Sequence, residues 1–272
     1  DLDAIGSAEG VLRICKICDV PAVIAVRRDA TLAGSLINAL IAAGQEDDFI
    51  DPKGALPIIS QRTLCIVVDT YQLGLVESRE ILEKCGKVAV IDHHRKGVGF
   101  IEKADLVCHE PYASSASELV TEFLQYVGDR DDKPNRIEAE GLLSGIMLDT
   151  RDFTLHTGVR TFEAAAALRR YGAETEHVRQ LFDVSMVEYT TKARLVSEAQ
   201  MYRGCAITVS GEVAPEARVA IAQAANDLLT IQNVEASFVA VQVGGGVNIS
   251  ARSLGAVTVS YTHLRAHETP EH

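Results

Sequence analysis

Acidic and imidazole side chains follow two apolar runs of the chain. Residues 88–91 are apolar and lead directly into the segment Asp92-His93-His94, and residues 64–68 lead in the same way into Asp69. Uninterrupted apolar runs of this length are typical of strands buried on both faces of a parallel sheet. Because ligands of open α/β sheets bind beyond the carboxyl ends of the strands, we expect these polar groups to meet at one edge.

Three further carboxylates extend this set. Asp1 and Asp3 open the chain, and Asp149 closes the apolar run of residues 142–148. Each feature alone has a simpler explanation, since a strand-end Asp often caps the next helix and a His pair is often a surface feature. Taken together, a site rich in carboxylate oxygen with an imidazole suits Mn²⁺ or Mg²⁺, and carboxylates can bridge two ions. The set predicts a hydrolase with two metal ions.

Composition narrows the class of protein. The chain has 272 residues, of which 47% are hydrophobic and 24% charged, which is typical of a soluble protein with one large or two moderate domains. A formal charge of −12 disfavours binding to long, duplex nucleic acid, but it allows a small anionic substrate held by metal ions.

The six cysteines form no disulfide-like framework, and Cys15 and Cys18 are predicted to be buried thiols on a helix. With no apolar run of membrane-spanning length and no signal peptide, a cytoplasmic location is predicted.

Apolar periodicity predicts an α/β fold with a doubly wound parallel sheet, because strands and helices alternate through the first half. Strands are predicted at residues 22–26, 65–69, 88–94 and 104–109, and helices at residues 4–18, 32–43 and 76–85. A helical part follows, at residues 137–149, 160–171, 175–182 and 187–202.

A smaller α/β domain is predicted after Gly204. Its strands are residues 205–209, 236–243 and 247–252, its helix is residues 216–229, and residues 244–246, all glycine, form a hairpin turn. We therefore predict a first domain at 1–185, a connecting helix at 186–203 and an incomplete second domain at 204–259. Residues 260–272 resemble a translated sequencing adapter, and their three histidines are left out of the metal argument.

Ser114 and Ser115 open a helix and have two interpretations. Glu118 stands three residues after Ser115, which is the spacing of a capping box. The alternative is that the hydroxyls and the free amides of this helix start hold a phosphate or a base. The sequence leaves both interpretations open.

The motifs of this chain resemble those of the DHH phosphoesterase superfamily, in order and in spacing. They are Asp1-Leu2-Asp3-Ala4-Ile5-Gly6-Ser7, Val68-Asp69, Asp92-His93-His94 and Asp149. Residues 152–166 and 249–255 are similar to the GdpP/YybT-type cyclic-di-AMP phosphodiesterases of Gram-positive bacteria. The resemblance extends over residues 1–259.

The resemblance implies two Mn²⁺ ions, with Mg²⁺ or Co²⁺ as alternatives, and hydrolysis of cyclic di-AMP to linear pApA by water that the metals activate. Asp1 would bind one ion and Asp3 the other, Asp69 would bridge both, and His93 and Asp149 would complete the coordination. His94 would lie toward the substrate phosphate, and Asp92 would orient the histidine pair. Candidate substrate contacts in the first domain are His94, Ser114, Ser115 and Arg160. Those in the second domain are Arg252 and Ser253. For Arg160, a surface salt bridge with Glu163 is the alternative.

Departures from the family pattern bear on activity. The family has a His four positions before Asp1 and a Gly-Gly-Gly-His segment soon after the 250s, and neither is in this sequence. We therefore expect the chain by itself to be poorly active or inactive. The family resemblance separately implies that the parent protein is anchored in the membrane. Alternative functions are an oligoribonuclease or pAp phosphatase, a RecJ-type single-strand exonuclease, or a nucleotide sensor without catalysis. The oligomeric state is left open, a homodimer included.

Overall fold

The structure is a computed structural model, and it describes residues 1–254 except 29, 96, 98, 129–131, 183–185, 214–217 and 244. The chain divides into two compact units, Asp1–Asp183 and Val184–His272. The suspected non-native tail, residues 260–272, lies outside the described residues. Among the helices of the described part, none combines the length and the apolar character that crossing a membrane requires.

The first unit carries two small parallel sheets. In one, β1 (Ile24–Ala25) pairs with β2 (Phe49–Ile50); in the other, β3 (Leu64–Val68), β4 (Lys87–Asp92) and β5 (Leu106–His109) stand in that order. The helices of this unit are α1 (Leu2–Ile17), α2 (Gly34–Ala42), α3 (Pro52–Ala55), α4 (Arg79–Lys84), α5 (Ala116–Leu124), α6 (Arg136–Asp149), α7 (Val159–Arg170) and α8 (Thr175–Gln180). The α/β class with parallel sheets is thus confirmed.

The strand register brings the polar strand ends together. Val68 pairs with Ile91, and Asp92 pairs with His109, so β3, β4 and β5 end side by side. Asp69 turns the chain out of β3 with a positive φ of 60°, a conformation that a non-glycine residue adopts at a cost. Its amide still donates to the carbonyl of Ile91 at 2.9 Å, which holds this turn against β4.

Helices α1 and α6 approach each other closely through glycines. A Cβ on Gly6 would collide with the backbone carbonyl of Gly141, and a Cβ on Gly145 would lie 2.5 Å from Oδ1 of Asp3. The buried apolar side chains around this crossing include Leu12, Leu142 and Ile146. Because α1 begins beside Asp3 and α6 ends at Asp149, the crossing brings these two carboxylates to the ends of β3 and β4.

A buried acidic cluster joins α1 to α6 on another part of the unit. Gln45 donates through Nε2 to Glu9 at 3.0 Å and to Glu138 at 2.8 Å, and Arg13 pairs with both oxygens of Glu138. Burial, together with the charges of Glu138 and Asp48, raises the pKa of Glu9 to about 8. Oε2 of Glu9 has no hydrogen-bond partner among the described residues.

The described residues of the second unit form a four-stranded sheet with two helices. Its strands are β6 (Gln200–Tyr202), β7 (Cys205–Glu212), β8 (Ala236–Val243) and β9 (Gly246–Ser253), and its helices are α9 (Met186–Ser197) and α10 (Arg218–Leu228). The β7–β8 pair is parallel and the other two pairs are antiparallel. The antiparallel register of β8 with β9 confirms the hairpin predicted at the glycine run.

Three predictions from the sequence were wrong in detail: the end of one helix, the start of another and the burial of Cys18. The helix predicted at 187–202 ends at Ser197, because residues 200–202 pair with β7 across a tight turn at Arg203 and Gly204, both with positive φ. The helix predicted from residue 32 begins at Gly34, and Leu32 is exposed. Cys18 is exposed rather than buried, because it is the C-cap residue that follows α1.

Candidate metal centre

Asp3 is fully buried and its carboxylate is held by the start of a helix. Its Oδ2 accepts a hydrogen bond from the amide of Ala116 at 2.7 Å, and its Oδ1 accepts from the amide of Ser117 at 2.9 Å. These amides belong to the first turn of α5, where unpaired N–H groups and the helix dipole favour an anion. Of the two interpretations of this helix start, the one with free amides for a phosphate or a base does not fit the amides of Ala116 and Ser117, because Asp3 occupies both.

Three carboxylates surround the ring of His93. Its Nε2 lies 3.0 Å from Oδ2 of Asp149, 3.4 Å from Oδ1 of Asp69 and 3.8 Å from Oδ2 of Asp3. One ligand atom of each of these four residues lies within 4.8 Å of the others, which is the spacing of a metal site. The four residues come from α1, the turn after β3, the end of β4 and the last residue of α6, so the fold gathers them from distant parts of the chain.

Asp92 orients the two histidines that follow it. Its Oδ1 accepts hydrogen bonds from the amides of His93 at 2.9 Å and His94 at 3.3 Å, and it lies 2.8 Å from Nδ1 of His94. A carboxylate only accepts, so Nδ1 of His94 carries the proton and Nε2 remains available as a ligand or an acceptor. Nδ1 also lies 3.7 Å from Oδ1 of Asp69, and the side chain of His94 is half exposed. This geometry supports the predicted orienting role of Asp92, and the catalytic role of His94 stays a prediction.

The crowding of acids and imidazoles perturbs their protonation. Burial and the charges of Asp3 and Asp149 raise the pKa of Asp69 to about 7, although the nearby imidazole of His93 opposes the rise. Burial likewise raises the pKa of Asp149. For His93, burial lowers the pKa, but the neighbouring carboxylates outweigh it and raise the pKa to about 10. Without a cation, the cluster therefore retains protons at neutral pH, above all on the imidazole of His93.

The residues present fit a divalent metal ion. Two buried atoms that face the centre of the cluster, Oδ1 of Asp69 and Nε2 of His93, have no hydrogen-bond partner among the described residues. Buried polar atoms are rarely left unpaired, and a metal ion would satisfy both. Carboxylate oxygens with one or two imidazoles form a donor set that suits Mn²⁺ or Mg²⁺. Asp69, His93 and His94 form a second group of the same kind, so Asp69 stands in both.

Asp1 does not join either group. It is exposed, and its Oδ1 accepts a hydrogen bond from the amide of Ala4 at 3.1 Å, as the N-cap of α1. A helix cap is the simpler role for a strand-end or leading Asp, and it is the role that the structure shows. The predicted metal-binding role of Asp1 stays a prediction.

Ser114 and Ser115 form hydrogen bonds with Glu118 at the start of α5. The hydroxyl of Ser115 accepts from the amide of Glu118 at 3.0 Å, which is half of the predicted capping box. The other half differs, because the carboxylate of Glu118 accepts from the amide and the hydroxyl of Ser114 instead. Both serines are buried, so their hydroxyls are committed within the protein and their predicted contact with substrate lacks structural support.

Arg160 forms a bidentate ion pair with Glu122 of α5, at 2.7 and 2.8 Å. The alternative of a salt bridge with Glu163 was wrong about the partner, because α7 packs against α5, and Glu122 of α5 meets the Arg160 guanidinium in bidentate geometry. Arg252 and Ser253 lie on β9, where Nε of Arg252 donates to Oδ1 of Asn226 at 3.2 Å. Substrate binding by Arg160, Arg252 and Ser253 remains a prediction.

Two residues near the cluster were missed by the sequence analysis. The hydroxyl of Tyr71 donates to the carbonyl of Arg95 at 2.7 Å and accepts from the amide of Gly97. Nε2 of His109 lies 2.5 Å from the carbonyl of His94, and the rings of Tyr71 and His109 meet edge to face at 5.6 Å. The signal for His109 was available, because it ends β5 as Asp92 ends β4.

Comparisons with known proteins agree with this geometry. The family model described as "DHH family, N-terminal domain" matches residues 1–146. The cyclic-di-AMP phosphodiesterase GdpP of Geobacillus thermodenitrificans is 44% identical over 264 residues, and the cyclic-di-AMP phosphodiesterase PdeA of Listeria monocytogenes is 39% identical over 264 residues. Each match covers 95% of this chain and 40% of the relative, so the chain spans about two fifths of the length of these relatives. The solved structure of an exopolyphosphatase-related protein from Bacteroides fragilis has the same fold, with a TM-score of 0.76 at 20% identity over 94% of this chain and 76% of that chain.

Proposed function

The chain belongs to the DHH family, and on that premise we propose that it forms the catalytic part of a metal-dependent phosphodiesterase that hydrolyses cyclic di-AMP to linear pApA. The observation that carries the proposal is the convergence of Asp3, Asp69, His93 and Asp149 within 4.8 Å, in a chain 39–44% identical to two cyclic-di-AMP phosphodiesterases. A cytoplasmic location is part of the same proposal, since all six cysteines are free thiols and a reducing compartment keeps them so.

The four clustered residues would hold divalent ions, with Mn²⁺ as the proposed metal. When bound, such ions activate water as the nucleophile and neutralise charge on the leaving oxygen. Asp69 and His93 both stand in the two groups that have metal-site spacing, and of the two only Asp69 has two carboxylate oxygens with which it could serve two ions.

The remaining residues act by fixing positions and protons. The α5 amides hold both oxygens of Asp3, so this carboxylate is already oriented before substrate arrives. Asp92 fixes the proton of His94 on Nδ1 and directs Nε2 of that ring away from itself. The half-exposed His94 can therefore contact a substrate phosphate while the buried His93 stays with the carboxylates.

The proposal is tested on an extended form of the chain that restores the two family segments named above, the N-terminal His and the Gly-Gly-Gly-His segment. This protein is incubated with cyclic di-AMP and Mn²⁺, and the products are separated by chromatography. Wild-type protein should form pApA, and Asp69→Asn should lower the rate by at least about 100-fold, because even the loss of a residue that supports a metal ligand costs about 10–100-fold. Glu163→Gln is the matched control, since Glu163 is exposed on α7, and its rate should equal that of the wild type.

Two results would contradict the proposal. Full activity of Asp69→Asn would exclude this cluster as the catalytic centre. Intact cyclic di-AMP beside rapid cleavage of short linear RNA would keep the metal chemistry and assign the oligoribonuclease branch of the family instead.

A further inference from the structure

Each strand of the β3–β4–β5 sheet leads into a loop at its carboxyl end, and two of these loops carry residues of the metal centre. The loop after β3 begins with Asp69, and the loop after β4 begins with His93 and His94. The third loop, residues 110–115, joins β5 to α5. Because ligands of open α/β sheets bind beyond the carboxyl ends of the strands, this third loop borders the same ligand site.

Hydrogen bonds tie the third loop to the metal centre at both ends. At its start, the amide of Glu110 donates to the carbonyl of Asp92 at 3.0 Å. Directly after its end, the amide of Ala116 donates to Oδ2 of Asp3 at 2.7 Å. Since an extended chain advances about 3.3–3.6 Å per residue, the Cα of Tyr112 lies within about 7 Å of the Cα of Glu110. The loop therefore holds Tyr112 close to residues that build the centre.

A hydrogen-bonded turn fixes the backbone of Tyr112. The amide of Ala113 donates to the carbonyl of Glu110 at 3.0 Å, and Pro111 takes the second position of this β-turn, where proline is favoured. Ala113 is buried, whereas Tyr112 is 94% exposed, the highest value among the large hydrophobic residues that the structure describes. The backbone is thus held in place while the nearly fully exposed ring can turn toward a ligand.

The chemistry of this loop favours a base over a phosphate as the group that Tyr112 contacts. Ser114 and Ser115 are buried and bonded within the protein, so their hydroxyls are not offered to a ligand. Glu110 is acidic and would repel a phosphate. The ring of Tyr112 offers an aromatic face of the kind on which nucleobases stack, and with only two χ angles it loses little freedom on binding.

We propose that the ring of Tyr112 stacks on a nucleobase of the substrate whose phosphate lies at the metal centre. The inference rests on the proposed function for the identity of the substrate, and it adds a base-binding residue to that site. It assigns the contact to the face of the ring and not to the hydroxyl, so phenylalanine should replace Tyr112 without loss.

Kinetics of the extended form of the chain test the stack. Tyr112→Ala should raise KM for cyclic di-AMP by about 5–150-fold, the range expected for loss of one base–aromatic stack, and should leave kcat nearly unchanged. Tyr112→Phe should keep the wild-type KM. Tyr126→Ala is the matched control, because Tyr126 is 89% exposed beyond the other end of α5, and its KM should not change. An unchanged KM in Tyr112→Ala, or equal impairment of Tyr112→Phe, would overturn the proposal.

A binding assay gives a readout without turnover. The chain has no tryptophan, so Tyr112→Trp places a single indole at the turn, and Tyr126→Trp is its control. At constant Mn²⁺, adenosine 5′-monophosphate should quench Tyr112→Trp emission saturably. Ribose 5-phosphate, which has the phosphate but no base, should not, and Tyr126→Trp should respond to neither.

An absent response of Tyr112→Trp, or an equal response to both ligands, would also overturn the proposal. The two failures are distinguishable. If neither the wild type nor any variant cleaves cyclic di-AMP, the proposed function fails, while the fluorescence titration with adenosine 5′-monophosphate still decides whether Tyr112 contacts a base.

Discussion

Replacing Gly145 by alanine should damage the metal centre although no metal ligand is substituted. The added Cβ would lie 2.5 Å from Oδ1 of Asp3 and 2.8 Å from its Cα, and it would also collide with the hydroxyl of Ser117. Ordinary contact begins at 3.4 Å, so Asp3 must move by about 0.9 Å, the difference between these two distances. Since the Cα of Asp3 is in the way as well as the two side-chain ends, side-chain rotation alone cannot relieve the contact, and α1 and α6 must separate.

The expected cost has two parts. Overpacking of a close helix crossing lowers the free energy of unfolding by about 1–3 kcal/mol. The displacement also weakens the two hydrogen bonds, of 2.7 and 2.9 Å, that hold Asp3 on α5. Because a poorly oriented ligand costs about 10–100-fold in metal affinity, Gly145→Ala should bind Mn²⁺ at least about 10-fold more weakly than the wild type.

Urea unfolding in EDTA measures the stability, and calorimetric titration measures the Mn²⁺ affinity. Gly34→Ala is the control, because a Cβ there meets nothing within 4 Å and should change the unfolding free energy by less than about 0.5 kcal/mol. If Gly145→Ala has wild-type stability and wild-type Mn²⁺ affinity, the close crossing does not position Asp3 and the reasoning is refuted.

Two further substitutions test the protonation and the orientation of side chains. The pKa of Glu9 is raised from 4.5 to about 8 in the folded chain, so the folded chain binds this proton more tightly and stability falls as the pH rises through that interval. The loss between pH 5 and pH 8 is about 3 kcal/mol, and Glu9→Gln should remove it in urea unfolding, whereas Glu163→Gln should keep the wild-type slope. Asp92→Asn should lower kcat/KM for cyclic di-AMP by about 10–100-fold, since it weakens the hold on Nδ1 of His94; a wild-type kcat/KM would exclude an orienting role for Asp92.

The strand-end rule predicted the part of the centre that depends on local sequence. Asp69, Asp92 and His93 follow directly from two apolar runs, and the parallel register of β3 with β4 places them together as expected. His109 obeys the same rule on β5. Such residues are predictable because the strand carries them to the edge whatever the helices do.

The helix contributions could not be predicted in the same way. That Asp3 takes the amides of α5 depends on where α1 crosses α5 and α6, and this crossing depends on glycines that have no periodic signal. Arg160 likewise pairs with Glu122 and not with Glu163. A bidentate ion pair with a packed neighbouring helix is more stable than an exposed ion pair within one helix. Tertiary packing decided both cases.

Bringing the acidic side chains of the metal centre together costs folding free energy when no cation is bound. Like charges at Asp3, Asp69 and Asp149 repel one another, and burial raises the pKa values of two of them, so the cluster destabilises the fold when no cation is bound. The α5 amides offset this for Asp3 alone. In the unfolded chain these residues are scattered over about 150 positions and cannot chelate an ion together, so a cation binds the folded unit selectively. Packing of α1, α5 and α6 brings the acidic side chains together against their mutual repulsion. A bound metal ion offsets that repulsion, so metal binding is coupled to the folding of the first unit.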